Sequence, residues 1–363
     1  MTEETGAQGT LRIATEALEA LLNRIFLHAG ASGVVAEILA ANCSACERDG
    51  AGSHGVFRMP GYVDSIRSGW VDATAQPRIE HESEGLIRVD AANGFAQPAL
   101  ALAAPIVAEK AARNGAAVLS IRNSHHFSAL WPDVEPFARQ GLLALSVVNS
   151  FACTVPFHAK SAIFGTNPIA FAAPRAGEEP VVVDMATSAM ANGDVQIAAR
   201  EGRPLPPGHG VDNEGNPTTD PRVVLDGGAL LPFGGYKGAS ISLMIELFCA
   251  ALTGGKFSCE VDWSTHPGAQ TPHTGQLVIV IDPDHGREPN FFARRASELT
   301  QRLVEVGAER LPGERRYRNR EEALSKGIPM RTEVLQKLYM LAGEVLTDEA
   351  KAAIQKQQLI SAA

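Results

Sequence analysis

Between Leu86 and Val183, β-type apolar runs of strand length alternate with alanine-rich stretches of helical length, and no other feature narrows the folds open to this chain as far. Leu86 to Asp90, Ala116 to Ile121 and Leu142 to Val148 read as strands. Pro98 to Asn114, stopped by Gly115, and Ala129 to Arg139 read as helices, and shorter apolar runs follow at Pro168 to Ala173 and Pro180 to Val183. The alternation predicts an α/β domain and, taken alone, a parallel sheet. Parallel sheets that hold nucleotides carry G-x-G-x-x-G or G-x-x-x-x-G-K-[ST] where a strand runs into a helix. Neither occurs in that setting here, so a nucleotide would need a different cradle.

Before this region, Ala14, Leu18, Leu21, Leu22 and Ile25 repeat at helical spacing. A second helix follows Gly30 and Ser32, with Val35, Ile38, Leu39, Asn42 and Cys46 on one face. Val56 to Ile66 reads as partly helical despite Pro60, with Arg58 and Tyr62 on the same side and able to face one pocket. The polar start, Met1 to Thr10, reads as disordered and lacks the charged and apolar regions of a signal peptide. With 363 residues, 45% of them hydrophobic, the chain has length for two or three domains and a large core. A net charge of -9 and a pI near 5.6 argue against nucleic acid or an anionic membrane surface and favour a small-molecule partner. Five cysteines, mostly in apolar runs, fit reduced thiols in the cytoplasm, and no apolar run reaches the ~20 residues that cross a bilayer. Cys43 and Cys46 form a C-x-x-C, but inside a helical pattern and without a second pair at zinc spacing, so they read as buried helix residues.

Five stretches carry the chemistry. Gly50-Ala51-Gly52-Ser53-His54-Gly55 places a hydroxyl and a base that titrates near neutrality between glycines; a turn whose serine caps the next helix explains it equally well. Asn123-Ser124-His125-His126-Phe127-Ser128 follows a strand, where ligand groups cluster in α/β sheets, and is also readable as a polar loop. Its adjacent histidines lack metal-ligand spacing, and no metal is expected. Phe164-Gly165-Thr166-Asn167-Pro168 is a turn able to hold a carbonyl or phosphate. Asp184-Met185-Ala186-Thr187-Ser188 ends a strand, with Thr187 or Ser188 placed to cap the helix that contains Val195 and Ile197. Leu231 to Gly238 offers Lys237 beside flexible backbone at the start of a long apolar helix, a composition suited to an anion.

E-R-D-G-A-G-S-H-G at 47–55, N-S-H-H-F at 123–127, F-G-T-N-P at 164–168, V-D-M-A-T-S at 183–188, G-N-P-T-T-D-P at 215–221, L-P-F-G-G-Y-K-G at 231–238 and G-I-P at 327–329 stand in an order that resembles the malate/L-lactate (type 2) dehydrogenase family. The resemblance spans nearly the whole chain. It implies an NAD(P)-dependent oxidoreductase, working as a homodimer, with an α/β (α+β) fold: a non-Rossmann NAD(P)-binding domain built on a largely antiparallel sheet, and a helical domain made from N- and C-terminal segments. We therefore expect the helical domain at 1–85, the cofactor domain at 86–300 and the returning segments at 301–363. The antiparallel expectation displaces the parallel one because the glycine phosphate loop is missing.

Two departures from the hydroxyacid enzymes point to one branch of the family. His125-His126-Phe127-Ser128-Ala129-Leu130-Trp131-Pro132 and Gly234-Gly235-Tyr236-Lys237-Gly238 look like the reductases of Δ1-piperideine-2-carboxylate and Δ1-pyrroline-2-carboxylate, with a 2-hydroxyacid dehydrogenase as the alternative. By this resemblance His54 is the proton donor, Ser53 stands beside it, and Asp194 orients and charges the imidazole. Arg58 grips the substrate carboxylate, and Lys160, which falls where relatives carry Arg, is a second contact. His126, Phe127, Ser128, Thr166, Asn167, Asp184, Met185, Ala186, Tyr236 and Lys237 are the expected cofactor contacts, with NADPH preferred. Arg175, Arg302 and Arg310 are candidates for its 2'-phosphate.

Overall fold

The computed structural model describes residues 9–361. In chain order the strands are β1 (Thr10–Ile13), β2 (Arg78–Glu82), β3 (Leu86–Phe95), β4 (Ala116–His125), β5 (Leu143–Val148), β6 (Ile169–Arg175), β7 (Glu178–Met185), β8 (Gly210–Val211), β9 (Pro217–Thr218), β10 (Ala229–Leu230), β11 (His273–Ile281) and β12 (Ile328–Arg331). The α-helices are α1 (Thr15–Ala29), α2 (Gly33–Arg48), α3 (Met59–Arg67), α4 (Ala96–Asn114), α5 (Trp131–Arg139), α6 (Asn192–Glu201), α7 (Pro221–Leu225), α8 (Tyr236–Glu246), α9 (Phe291–Glu305), α10 (Glu314–Lys326), α11 (Thr332–Leu341) and α12 (Asp348–Ser361). They form two compact units. One comprises Met1–Thr74, Gly268–Gln270 and Glu314–Ala363, and the other Ala75–Pro267 and Thr271–Gly313.

The first unit is helical because its sequence buries one face of each helix. Leu18, Leu21, Leu22 and Ile25 of α1 are almost wholly buried, as are Val35, Leu39, Cys43 and Cys46 of α2. Gly30, at φ 107°, ends α1, and the Ser32 hydroxyl accepts the Val35 amide at 3.4 Å to cap α2. Tyr62 is fully buried in the core, edge-on to Phe26 with ring centroids 5.4 Å apart. Of the start of the chain read as disordered, residues 1–8 lie outside the described residues. Thr10 opens β1, which pairs antiparallel with β12 from Thr10↔Arg331 to Ile13↔Ile328.

The second unit is built on a seven-stranded sheet in the order β2-β3-β4-β11-β5-β6-β7. Only β3 and β4 pair parallel among its strands, joined by the crossover helix α4; every other neighbour is antiparallel. The parallel sheet suggested by alternation alone is therefore incorrect. Strands β2-β3, β5-β6 and β6-β7 pair antiparallel as neighbours in sequence, and β11, from residues 273–281, inserts between β4 and β5 antiparallel to both. The junctions between the units also differ from the expected ones. β2 pairs with β3 and so extends the sheet unit back to Ala75, while α9 packs on β6 and keeps residues up to Gly313 with the sheet.

Candidate active site

Strand sense decides where the site lies on the second unit. Because β11 opposes β4 and β5, β5 opposes β6, and β6 opposes β7, the ends at His125, Val148, Ile169, Met185 and His273 share one edge of the sheet. From that edge spring the segments singled out in the sequence at 126–128, 164–168 and 184–188. They are stitched together by hydrogen bonds. Asp184 Oδ2 accepts the Leu130 and Trp131 amides at 3.0 and 2.8 Å, which caps the start of α5, and the Thr187 amide donates to Thr166 O at 2.8 Å. The Phe233 amide donates to Thr187 O at 3.0 Å, bringing the start of α8 with Tyr236 and Lys237 to the same place. Tyr236, Lys237 and Met185 are exposed there, with Ala186 half-buried beside them.

Several of these side chains build the cradle instead of pointing out of it. The His126 ring donates from Nε2 to Asp133 Oδ2 at 2.9 Å, and both groups are buried; Gln276 donates to the same oxygen at 2.7 Å. Ser128 is buried and Phe127 half-buried. The Asn167 amide donates to Glu246 Oε1 at 2.8 Å and Ser242 O at 3.2 Å, and Glu246 also accepts the Ser258 amide at 3.0 Å. Thr187 turns inward to Thr166 O and Asn167 O at 3.1 and 3.0 Å, and Ser188 bonds Met190 O, so neither caps α6; the N-cap position of that helix is Ala191. Buried polar side chains satisfied in this way fix loop backbones more firmly than apolar packing alone.

Next to the cradle, His125 and His273 face each other across β4 and β11 with ring centroids 5.3 Å apart. His125 accepts from Thr271 Oγ1 at 3.1 Å and donates to Asn93 Oδ1 at 3.1 Å, and His273 donates to Asn123 Oδ1 at 3.0 Å. Burial pushes His125 down to about 3, with His273 adding to the shift; burial and then Lys256 push His273 down to about 4. Both are neutral rings at neutral pH. Among the described residues no group of three or more His, Cys, Asp or Glu is placed to hold a metal.

In the first unit, Ser53 and His54 lie in a single 3-10 turn, Gly52–His54, with Ser53 Oγ and His54 Nδ1 3.1 Å apart. Arg58 follows in the turn Val56–Arg58, 8% exposed, with its guanidinium 5.7 Å from the Phe57 ring centroid. In the second unit, Asp194 is exposed in the first turn of α6, and Lys160 is exposed with its stem against Gly215. Of the phosphate candidates, Arg175 is committed to Glu178 at 2.6 Å and to Glu179 O at 2.7 Å.

Sequence reasoning missed the carboxylates under the cradle. Asp133 and Glu246 are 3% and 4% exposed. The signal for Glu246 was present: one carboxylate inside the apolar run Ser240 to Leu252 has to find buried partners. Asp133, two residues into a helix beginning Trp131-Pro132, looked like an ordinary first-turn acid.

The second unit thus gathers polar loops at one edge of its sheet, and the first carries a serine-histidine pair and a buried arginine. The profile of the malate/L-lactate dehydrogenase family matches residues 13–339, and the chain belongs to that family. A Delta(1)-pyrroline-2-carboxylate/Delta(1)-piperideine-2-carboxylate reductase of Pseudomonas syringae pv. tomato is 59% identical over 336 residues, 93% of this chain and 98% of the relative. A reductase of the same name from Pseudomonas putida is 59% identical over 333 residues, 92% and 97% of the two chains. The crystal structure of a delta1-piperideine-2-carboxylate reductase from Pseudomonas syringae superposes with a TM-score of 0.89 at 59% identity, covering 91% of this chain and 99% of that one.

Proposed function

We propose that the chain reduces a cyclic imine carboxylate, Δ1-piperideine-2-carboxylate to L-pipecolate and Δ1-pyrroline-2-carboxylate to L-proline, as an NADPH-dependent ketimine reductase. The observation that carries this reading is the Ser53–His54 hydrogen bond, in a chain 59% identical over nearly its whole length to reductases of these imines. Bound NADPH supplies the hydride that the imine carbon receives. His54 holds a ring proton for the imine nitrogen, because a protonated iminium accepts hydride far more readily than the neutral imine; a positioned acid contributes on the order of 10²- to 10⁴-fold. Ser53 fixes the ring through Nδ1, and Asp194 favours the charged imidazole. Arg58 pairs with the substrate carboxylate and Lys160 adds a second cation.

The sheet-edge cradle fits a dinucleotide by its chemistry. Backbone from several loops converges there, Lys237 stands exposed at the start of α8 for a phosphate, and the buried polar network holds the turns that would face the ligand. This non-Rossmann cradle, a preference for NADPH over NADH, and a cytoplasmic homodimer complete the proposal. The dimer is supported by Leu243, Met244, Leu247 and Leu252, large apolar residues exposed along α8 and its continuation. No described helix is long and apolar enough to cross a membrane.

NADPH consumption with Δ1-piperideine-2-carboxylate, against pyruvate, oxaloacetate and 2-oxo acids mixed with methylamine, tests the reading. The cyclic imine should give the highest kcat/KM. Faster turnover of a keto acid without amine would make the chain a 2-hydroxyacid dehydrogenase, and no consumption with any of them would refute both.

A further inference from the structure

The turn that carries Ser53 and His54 is gripped at both ends by polar groups that the proton-transfer step does not use. We propose that Glu47, Asp49, Asn319 and Arg320 form a clamp that positions His54, which makes α10 a working part of the catalytic apparatus. The inference rests on His54 as proton donor.

One jaw closes on the start of the turn. The Asp49 carboxylate, fully buried just past the end of α2, takes Arg48 Nε at 2.6 Å and is forked by Arg320 of α10, with Nε at 3.0 and 3.1 Å and Nη2 at 2.5 Å. The Arg320 guanidinium also lies 5.3 Å from the Tyr317 ring centroid, which restricts its rotamer. Asn319 donates to Asp49 O at 3.2 Å, and its Nδ2 comes within 2.1 Å of where a Cβ on Gly50 would be, at φ +78°. Only glycine admits that approach.

The other jaw is Glu47, whose Oε2 accepts the Val56 amide at 2.9 Å and lies 2.1 Å from the position a Cβ on Gly55 would take. Between the jaws the backbone closes on itself: Ala51 N donates to Cys46 O and His54 N to Ala51 O, each at 2.8 Å. Ser53 and His54 are the half-buried pair held in the middle. A buried ion pair is a poor source of stability compared with apolar packing of similar volume. It fixes geometry well, which a general acid requires to within a fraction of an ångström.

Arg320→Lys and Asn319→Ala test the clamp, with Arg12→Gln as control. Arg12 donates to Gly327 O at 2.9 Å, just beyond the far end of α10, and pairs with Glu322 in the last turns of that helix at 3.6 Å. The two clamp variants should lose on the order of 10- to 100-fold in kcat, with NADPH affinity within about twofold of the parent and a larger solvent deuterium isotope effect on kcat. Guanidinium ions should restore part of the activity of Arg320→Ala. Arg12→Gln should keep its kcat even where its melting temperature falls. Should Arg320→Lys fail to fold, Asn319→Ala decides. Normal kcat in the folded clamp variants, or an equal loss in Arg12→Gln, overturns the clamp. His54→Ala separates this from the underlying reading: full activity there removes the proton-donor role itself, whereas a damaged His54→Ala beside healthy clamp variants removes the clamp alone.

Discussion

His125 and His273 make this protein acid-labile well above the range where carboxylates titrate. In the folded chain their pKa values are pushed down to about 3 and about 4, while the unfolded chain titrates histidine near 6.5. Below ~6.5 the unfolded chain therefore binds protons that the folded chain refuses, so stability falls with pH until the folded pKa values are reached. Between pH 7 and pH 5 each ring costs about 2 kcal/mol, and the pair about 3–4 kcal/mol, against a total stability of roughly 5–15 kcal/mol. Glu47 works with the opposite sign, because burial raises its pKa and the folded state gains from its protonation. Urea unfolding followed by tryptophan fluorescence at pH 7, 6 and 5 reads the slope. His125→Gln keeps an amide to meet Asn93 but cannot titrate, and it should lose about half of the dependence. The same slope in His125→Gln and the parent would refute the assignment.

Gly275→Ala should cost about 3 kcal/mol or more, read as a fall in melting temperature, because the new Cβ would come within 1.7 Å of Cys249 O, a backbone atom that cannot step aside. Asp133→Asn should raise the NADPH dissociation constant several-fold in a fluorescence titration while kcat at saturating cofactor holds, since His126 loses the carboxylate that fixes its ring. Arg58→Ala should raise KM for the imine carboxylate by 10-fold or more, the worth of about 1.5–3 kcal/mol in a charge-assisted pair, with NADPH affinity unchanged.

Local patterns showed the helices of the first unit in the sequence: the 3.6-residue period of α1, the Ser32 cap and the Gly30 stop are properties of neighbouring residues. The apolar runs of β3 to β7 were readable as strands, but β2 and the central β11 were not, and neither was strand sense. A buried strand has the same apolar run in either direction, and the strand that separates β4 from β5, β11, lies some 150 residues from its partner β4. Distance hid β1 as well, a four-residue strand whose partner β12 begins at Ile328. Thr187 illustrates a different limit, because a hydroxyl near a helix start suits a cap, and only the tertiary structure offered it the buried oxygens of Thr166 and Asn167. Ser53 and His54 were legible as neighbours framed by glycines. The Asp49–Arg320 fork joins residues 271 positions apart and leaves no local trace.

Proton donation by His54 is tested most directly by the steady-state kcat of His54→Ala with Δ1-piperideine-2-carboxylate and saturating NADPH from pH 6 to 8. A positioned acid requires kcat to fall on the order of 10²- to 10⁴-fold while the NADPH dissociation constant stays within about twofold, because the lost interaction belongs to the transition state. A His54→Ala enzyme with near-normal kcat across that range would contradict it.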